Sequence, residues 1–150
     1  MLEIVPFQPH DQSAVKALIL SGLVEHWGYL DESKNPDLDD IAASYANATF
    51  LVARDGESIL GTGAFIPRSS EPRSAETVEI VRMSVARAAR RQGIGGEILR
   101  ELCRRAAQAG YRRAILETTA AWEGVVAFYL QAGFRVDHYA GEDVYLALDL

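Results

Sequence analysis

The run Arg90-Arg91-Gln92-Gly93-Ile94-Gly95-Gly96 limits this chain more than any other segment, because it joins a strand-like stretch, Val78 to Val85, to a long amphipathic helical pattern. A strand that passes through glycines into a helix presents backbone N–H groups at the helix N-terminus, where the helix dipole also favours an anion. Arg90 and Arg91 add positive charge. The segment therefore reads as a phosphate cradle. Two well-known phosphate loops do not fit it: there is no Gly-x-Gly-x-x-Gly, and no Gly-Lys-Ser/Thr closes the loop. What remains is Arg90-x-x-Gly93-x-Gly95.

Periodicity fills in the elements on either side. Leu2 to Phe7 reads as a first strand, followed by an amphipathic helix from Asp11, a candidate cap, to Leu23, with Val15, Leu18, Ile19 and Leu23 on one face. His26-Trp27-Gly28-Tyr29 falls on a linker, and a second helix is predicted from Pro36 to Tyr45, with Asp37, Asp39 and Asp40 near its positive end. Thr49 to Arg54 and Ser58 to Pro67 form a hairpin around Asp55-Gly56, and Glu76 to Val85 is the next strand. After the glycines, Ile94, Ile98, Leu99, Leu102, Cys103 and Ala106 keep a helical period that Gly110 ends. Arg113 to Glu117 is a short strand. Trp122, Val125, Val126 and Tyr129 share one helix face, and Phe134 to Tyr139 with Asp143 to Leu148 closes the chain as a hairpin. The order implies an α/β (α+β) fold: one mixed, mostly antiparallel sheet flanked by helices.

The 150 residues, 49% hydrophobic and 24% charged, suit one compact domain spanning 1–150, with no repeat or low-complexity stretch. The N-terminal residues lack a signal-peptide pattern and no segment has the length of a membrane span, so a soluble cytoplasmic protein is expected, with no membrane partner. A formal net charge of −6 argues against a nucleic-acid surface and is compatible with cationic, amine-bearing ligands. Cys103 is the only cysteine, which excludes an internal disulfide; mid-helix, it reads as a packing residue. His10, His26 and His138 share no metal-ligand spacing, and no metal site is expected.

The Arg-x-x-Gly-x-Gly loop after the strand Glu79-Ile80-Val81-Arg82-Met83-Ser84-Val85 resembles the acyl-CoA motif of the GNAT superfamily of N-acyltransferases. Downstream, Ala127-Phe128-Tyr129-Leu130-Gln131-Ala132-Gly133-Phe134 is similar to the family's second signature, a tyrosine-bearing helix that ends in Gly-Phe. Two motifs in the right order are more specific than either alone. The resemblance implies an acetyl-CoA-dependent N-acetyltransferase fold and activity, with a primary amine on a small molecule or peptide as acceptor. It implies that the cosubstrate is held by Met83, Ser84, Val85, Arg90, Arg91, Gln92, Gly93, Ile94, Gly95, Gly96, Trp122 and Phe128. Many members carry asparagine seven residues before the helix tyrosine; here Trp122 stands there, and an indole replaces only the donor of an amide.

An extended pantetheine arm rich in amides can bond to a strand backbone. From Val85 back to Glu79 is six residues, about 20 Å at ~3.3 Å each, which brings Glu79 toward the thioester. Amine attack needs loss of a proton, and in many members a glutamate matched by Glu79 is the general base. Tyr129 matches the family's acid for the departing thiolate; its plain alternative is a core-facing aromatic. Glu79, likewise, has a plain alternative as an ion-pair partner. By the same resemblance His26, Trp27 and Tyr29 are acceptor candidates, against which stands the tendency of linker aromatics to fold onto the core. A catalytically silent acyl-CoA sensor or interaction module is the alternative reading, and it needs the glycines but neither Glu79 nor Tyr129. The acceptor's identity, the acyl-chain preference and a homodimer are left open by the residues.

Overall fold

The computed structural model describes residues 1–68 and 76–150. Seven strands lie in one sheet: β1 (Leu2–Pro6), β2 (Thr49–Asp55), β3 (Ser58–Pro67), β4 (Thr77–Val85), β5 (Arg113–Thr119), β6 (Arg135–Ala140) and β7 (Asp143–Asp149), in the order β1-β2-β3-β4-β5-β7-β6. The β1–β2, β2–β3, β5–β7 and β6–β7 pairs are antiparallel, while β4 and β5 run parallel. Among the described residues four α-helices accompany the sheet: α1 (Gln12–Trp27), α2 (Ile41–Ser44), α3 (Ile94–Gln108) and α4 (Glu123–Gln131). The mixed, mostly antiparallel sheet with flanking helices is the architecture that the order of elements implies.

The chain divides into two compact units, residues 1–66 with 82–102, and residues 67–81 with 103–150. In the first unit, Val15 and Ile19 of α1, Leu51 and Val52 of β2, and Ile98 and Leu102 of α3 are buried. In the second, Ala114 and Leu116 of β5 alternate with more exposed residues, as do Val144 and Leu146 of β7, the period-two pattern of a sheet with one buried face.

The structure corrects several local expectations. Helix α1 runs four residues past Leu23, so His26 and Trp27 belong to its last turn and not to a linker; Gly28, at φ 76°, takes the left-handed C-cap. Asp11 does not cap that helix. Its carboxylate is buried, accepts from the Gln8 N–H at 2.9 Å and pairs with Arg54 at 2.6 Å. The helix predicted from Pro36 to Tyr45 is broken into a 3-10 turn, Pro36–Leu38, and the short α2. Asp40 sits between them in a non-helical conformation and its Oδ1 accepts from the Ala43 N–H at 3.1 Å, so its side chain starts a new helix instead of continuing the old one. Trp122 lies one residue before α4, where its carbonyl accepts from the Val126 N–H at 3.0 Å.

Candidate functional site

The glycine loop is built from backbone conformation. Arg91 and Gly93 are both left-handed, at φ 66° and 78°, and the Gly93 carbonyl accepts the first α3 hydrogen bond, from Glu97, at 3.0 Å. Gly93 is thus the residue on which the helix begins, and a Cβ there would strain the turn. The N–H groups of Ile94, Gly95 and Gly96 fall within the first turn, which has no intrahelical acceptor to offer them. A first turn whose donors lack intrahelical acceptors, preceded by two arginines, suits an anion such as a pyrophosphate. Both arginines are exposed, and Arg90 is partly engaged: its Nη1 meets Glu25 of α1 at 2.5 Å and its Nε donates to the Val85 carbonyl at 3.2 Å. Arg87 also approaches Glu25, at 3.6 Å. Hydrogen bonding from Arg90 holds the Glu25 carboxyl below its ordinary range against a smaller opposing effect of desolvation.

Along β4 the side chains before the loop are already occupied by packing. A Cβ on Gly63 of β3 would lie 2.6 Å from the Met83 sulfur, and one on Gly22 of α1 would lie 3.1 Å from the Ser84 hydroxyl. Met83 and Ser84 therefore face neighbouring elements, and what they offer a ligand is main chain. The register of β4 with β5 covers Thr77, Val78 and Glu79. Glu79 is half-buried and ion-paired, its Oε1 accepting from Arg68 Nη1 at 2.7 Å.

In the second unit, Tyr129 is 7% exposed, with its ring edge-to-face on Phe128 at 5.0 Å and on Phe134 at 5.7 Å. The Gly133 turn, at φ 101°, brings Phe134 back onto the helix end. Burial pushes the Tyr129 phenol well above its ordinary pKa, which keeps it protonated and able to donate. Among the described residues no side chain takes that proton in a hydrogen bond. A purely structural buried tyrosine usually has such a partner. Phe128, next to it in sequence, and Trp122, seven residues before it, are half-buried.

Trp27, 49% exposed, and Tyr29, 61% exposed, stand together on a cleft of about 200 Å³ in the first unit, whose other walls are Leu23, Leu30, Asp31, Lys34 and Asn35. The lining combines two aromatics and two leucines with the polar residues Asp31, Lys34 and Asn35. His26 is exposed in the last turn of α1 and is not among the lining residues. Sequence reasoning did not single out Arg82, Asp37, Asn35, Glu25 or Arg68 as partners. Arg82 did carry a signal, a lone cation between Val81 and Met83 in an apolar strand; Glu25 and Arg68 carried none. Among the described residues no group of three or more His, Cys, Asp or Glu is placed to hold a metal, and no helix is long and apolar enough to cross a membrane.

This arrangement has close parallels. A rat protein, N-acetyltransferase 8F1 of Rattus norvegicus, is 32% identical over 109 residues, 71% of this chain and 49% of its own length. Its counterpart in Mus musculus is 33% identical over 110 residues, again 71% of this chain and 50% of its own. The chain thus spans about half the length of the curated relatives it matches. A GNAT-family acetyltransferase structure from Staphylococcus aureus superposes with a TM-score of 0.87 at 19% identity, covering 100% of this chain and 99% of that one. The PaiA N-acetyltransferase of Thermoplasma acidophilum, solved in complex with coenzyme A, gives a TM-score of 0.85 at 18% identity over 100% and 99% of the two chains. The sequence model of the acetyltransferase (GNAT) family matches residues 18–134, which include the glycine loop, all of β4 and all of α4: the chain belongs to the GNAT family of acetyltransferases.

Proposed function

We propose that residues 1–150 form one N-acetyltransferase domain that transfers an acetyl group from acetyl-CoA to a primary amine. The observation that carries this reading is the backbone of the Arg90–Gly96 loop, whose left-handed Arg91 and Gly93 set up the first-turn donors of α3 for a pyrophosphate. Arg90 and Arg91 supply charge, and the main chain from Met83 to Val85 supplies donors and acceptors to the pantetheine amides, since its register with β5 ends at Glu79. Phe128, against the tyrosine ring, and Trp122, before α4, supply apolar surface for the arm. The relatives' names and the coenzyme A bound to the Thermoplasma protein support the same donor.

Glu79 takes a proton from the acceptor ammonium, directly or through one water, so that the neutral amine attacks the thioester carbon; the C–N bond forms, and the C–S bond breaks as the tetrahedral intermediate collapses. Tyr129 gives its proton to the departing sulfur. Arg68 orients the Glu79 carboxylate and is the cation with which an incoming ammonium competes. Trp27 and Tyr29 line the acceptor cleft, and His26, one residue before Trp27 in the last turn of α1, is the third acceptor candidate. A cytoplasmic setting suits a chain whose one thiol, Cys103, is pushed up to about 11 by burial and is inert.

The test is thiol release from acetyl-CoA with a panel of amines, in the parent, Glu79→Gln and Tyr129→Phe. Glu79→Gln should lower the rate about 10²–10⁴-fold near neutral pH, with partial recovery at high pH where free amine abounds. Tyr129→Phe should keep CoA affinity and lose turnover by about 10–100-fold. A parent that binds CoA and acetylates nothing would favour the silent sensor, and full-speed variants would move the chemistry to other residues.

A further inference from the structure

Arg82 occupies a conformation that its residue type disfavours. It is at φ 55° in the interior of β4, a left-handed position where any Cβ is crowded. Such outliers persist only where the surroundings fix them, and they cluster at functional sites. Here the surroundings do fix it. The Arg82 carbonyl accepts from the fully buried Thr62 hydroxyl at 2.8 Å. The guanidinium forks onto Asp37, with Nε to Oδ2 at 3.0 Å and Nη2 to Oδ1 at 2.6 Å, and its Nη1 donates to Asn35 Oδ1 at 3.1 Å. Tyr45 donates to the same Asp37 Oδ2 at 2.6 Å, and Asn35 Nδ2 in turn donates to the Asp31 carbonyl at 3.2 Å.

Asn35 and Asp31 are both walls of the cleft that holds Trp27 and Tyr29. The segment that carries them has little regular structure of its own, only two single-turn 3-10 helices, at Glu32–Lys34 and Pro36–Leu38. Ser33, Lys34 and Asn35 donate to Asp31 within the segment. From outside it, Arg82 contributes three bonds from a strand more than forty residues away in the chain, one to the lining residue Asn35 and two to Asp37 further along the segment.

We propose that Arg82 is a positioning residue for the amine acceptor: its fork on Asp37 and its bond to Asn35 hold the Asp31–Asn35 side of the cleft against β4. The role rests on the acetyltransferase reading above. Arginine is required because a planar fork spans two acceptor residues at once, whereas a lysine ammonium has one nitrogen and no fixed direction. The conformation supports the same assignment, since glycine would satisfy the backbone at φ 55° and only the side chain's bonds explain a residue with a Cβ there.

The experiment compares the parent with Arg82→Lys and Asn35→Ala, using tryptamine as acceptor because the cleft lining combines aromatic and aliphatic side chains with polar ones. Steady-state kinetics, CoA titration by calorimetry and amide hydrogen exchange are read together. Arg82→Lys should raise the KM for tryptamine about tenfold, with kcat changed less than about threefold and CoA affinity unchanged. The amides of Leu38 and Asp39, which donate to Asn35 and Pro36 in the segment that Arg82 grips, should exchange at least about tenfold faster. Asn35→Ala should reproduce the KM effect in part, and it leaves the Arg82–Asp37 pair that supports folding. Faster exchange with unchanged KM would make Arg82 a structural residue and overturn the proposal, as would a fall in kcat with KM intact. A parent that acetylates no amine would sink the acetyltransferase reading itself, whereas an active parent with an Arg82→Lys variant indistinguishable from it sinks only the positioning role.

Discussion

The glycine loop and the Asn35–Tyr45 segment each bring an arginine to a carboxylate, and the two pairs differ in what surrounds them. Arg90 and Glu25 are 40% and 31% exposed and meet at one nitrogen, while Arg82 and Asp37 are 18% and 28% exposed and meet at two. A solvated single contact contributes little, because water and salt compete for both partners. A forked, half-buried pair is short and directional, and removing one partner leaves the other desolvated without compensation. Arg90 is therefore a charge that a ligand can borrow from Glu25, and Arg82 is part of the framework.

If the loop binds through its main chain, the largest effect should come from Gly95→Val. Its branched Cβ crowds the first-turn donors, so CoA affinity should fall more than about 100-fold with the denaturation midpoint preserved. Calorimetric titration measures it, and an unchanged affinity in a folded variant would falsify the cradle. On the framework side, Arg82→Ala should lower stability in urea by about 2–3 kcal/mol. Arg82→Gly removes the same fork but relaxes the left-handed backbone, so it should be less destabilising than alanine by about 1 kcal/mol, the reverse of the usual strand order. If glycine proves the worse of the two, backbone strain at position 82 is not real.

The carboxylate of the buried pair should also show in the pH dependence of stability. Burial opposes ionisation of Asp37, but hydrogen bonds from Arg82 and Tyr45 outweigh it and hold the carboxyl below its ordinary 3.8. A depressed native value means stability that is present above that ordinary value and lost as pH falls through the native one. The stability gap between the parent and Asp37→Asn should thus close in acid, and a gap that stays constant down to pH 2 argues against the coupling. Tyr45, pushed up to about 12 by burial and by Asp37, should add stability below its ordinary 10 that disappears as pH rises through about 12. The smallest effect belongs to the exposed pair. Glu25→Gln should free Arg90 and raise CoA affinity about twofold to threefold at low ionic strength, fading with added salt and leaving the denaturation midpoint in place. Weaker CoA binding in that variant would show that Glu25 supports the loop.

Legibility in the sequence followed the range of the interactions. The strand, glycines and helix from Val78 to Ala106 are local features, with apolar residues at a strand or helix spacing and a turn that only glycine allows, and they appear where the residues place them. The Asp55-Gly56 hairpin is equally local, with Gly56 at φ 60°. Asp40 misled because a carboxylate near a helix start reads the same whether it stabilises the dipole or caps a new helix; only its own ψ decides. Among the candidate site residues, the stripe from Trp122 to Tyr129 was visible as a period, but whether Tyr129 finds a partner was not. Arg82 with Asp37, Arg68 with Glu79 and Arg90 with Glu25 join positions separated along the chain by 45, 11 and 65 residues, a range no periodicity encodes.

Glu25 lies in the last turn of α1, at the negative end of the helix dipole, where a carboxylate is unfavourable. Arg87 and Arg90 neutralise it from outside the helix. The loop cations and the helix end therefore share one carboxylate. An anion that draws the arginines toward the glycines takes compensation away from Glu25, and because the pair is solvated the helix end that carries Trp27 is loosened only slightly. The coupling is local, and no rigid body has to move.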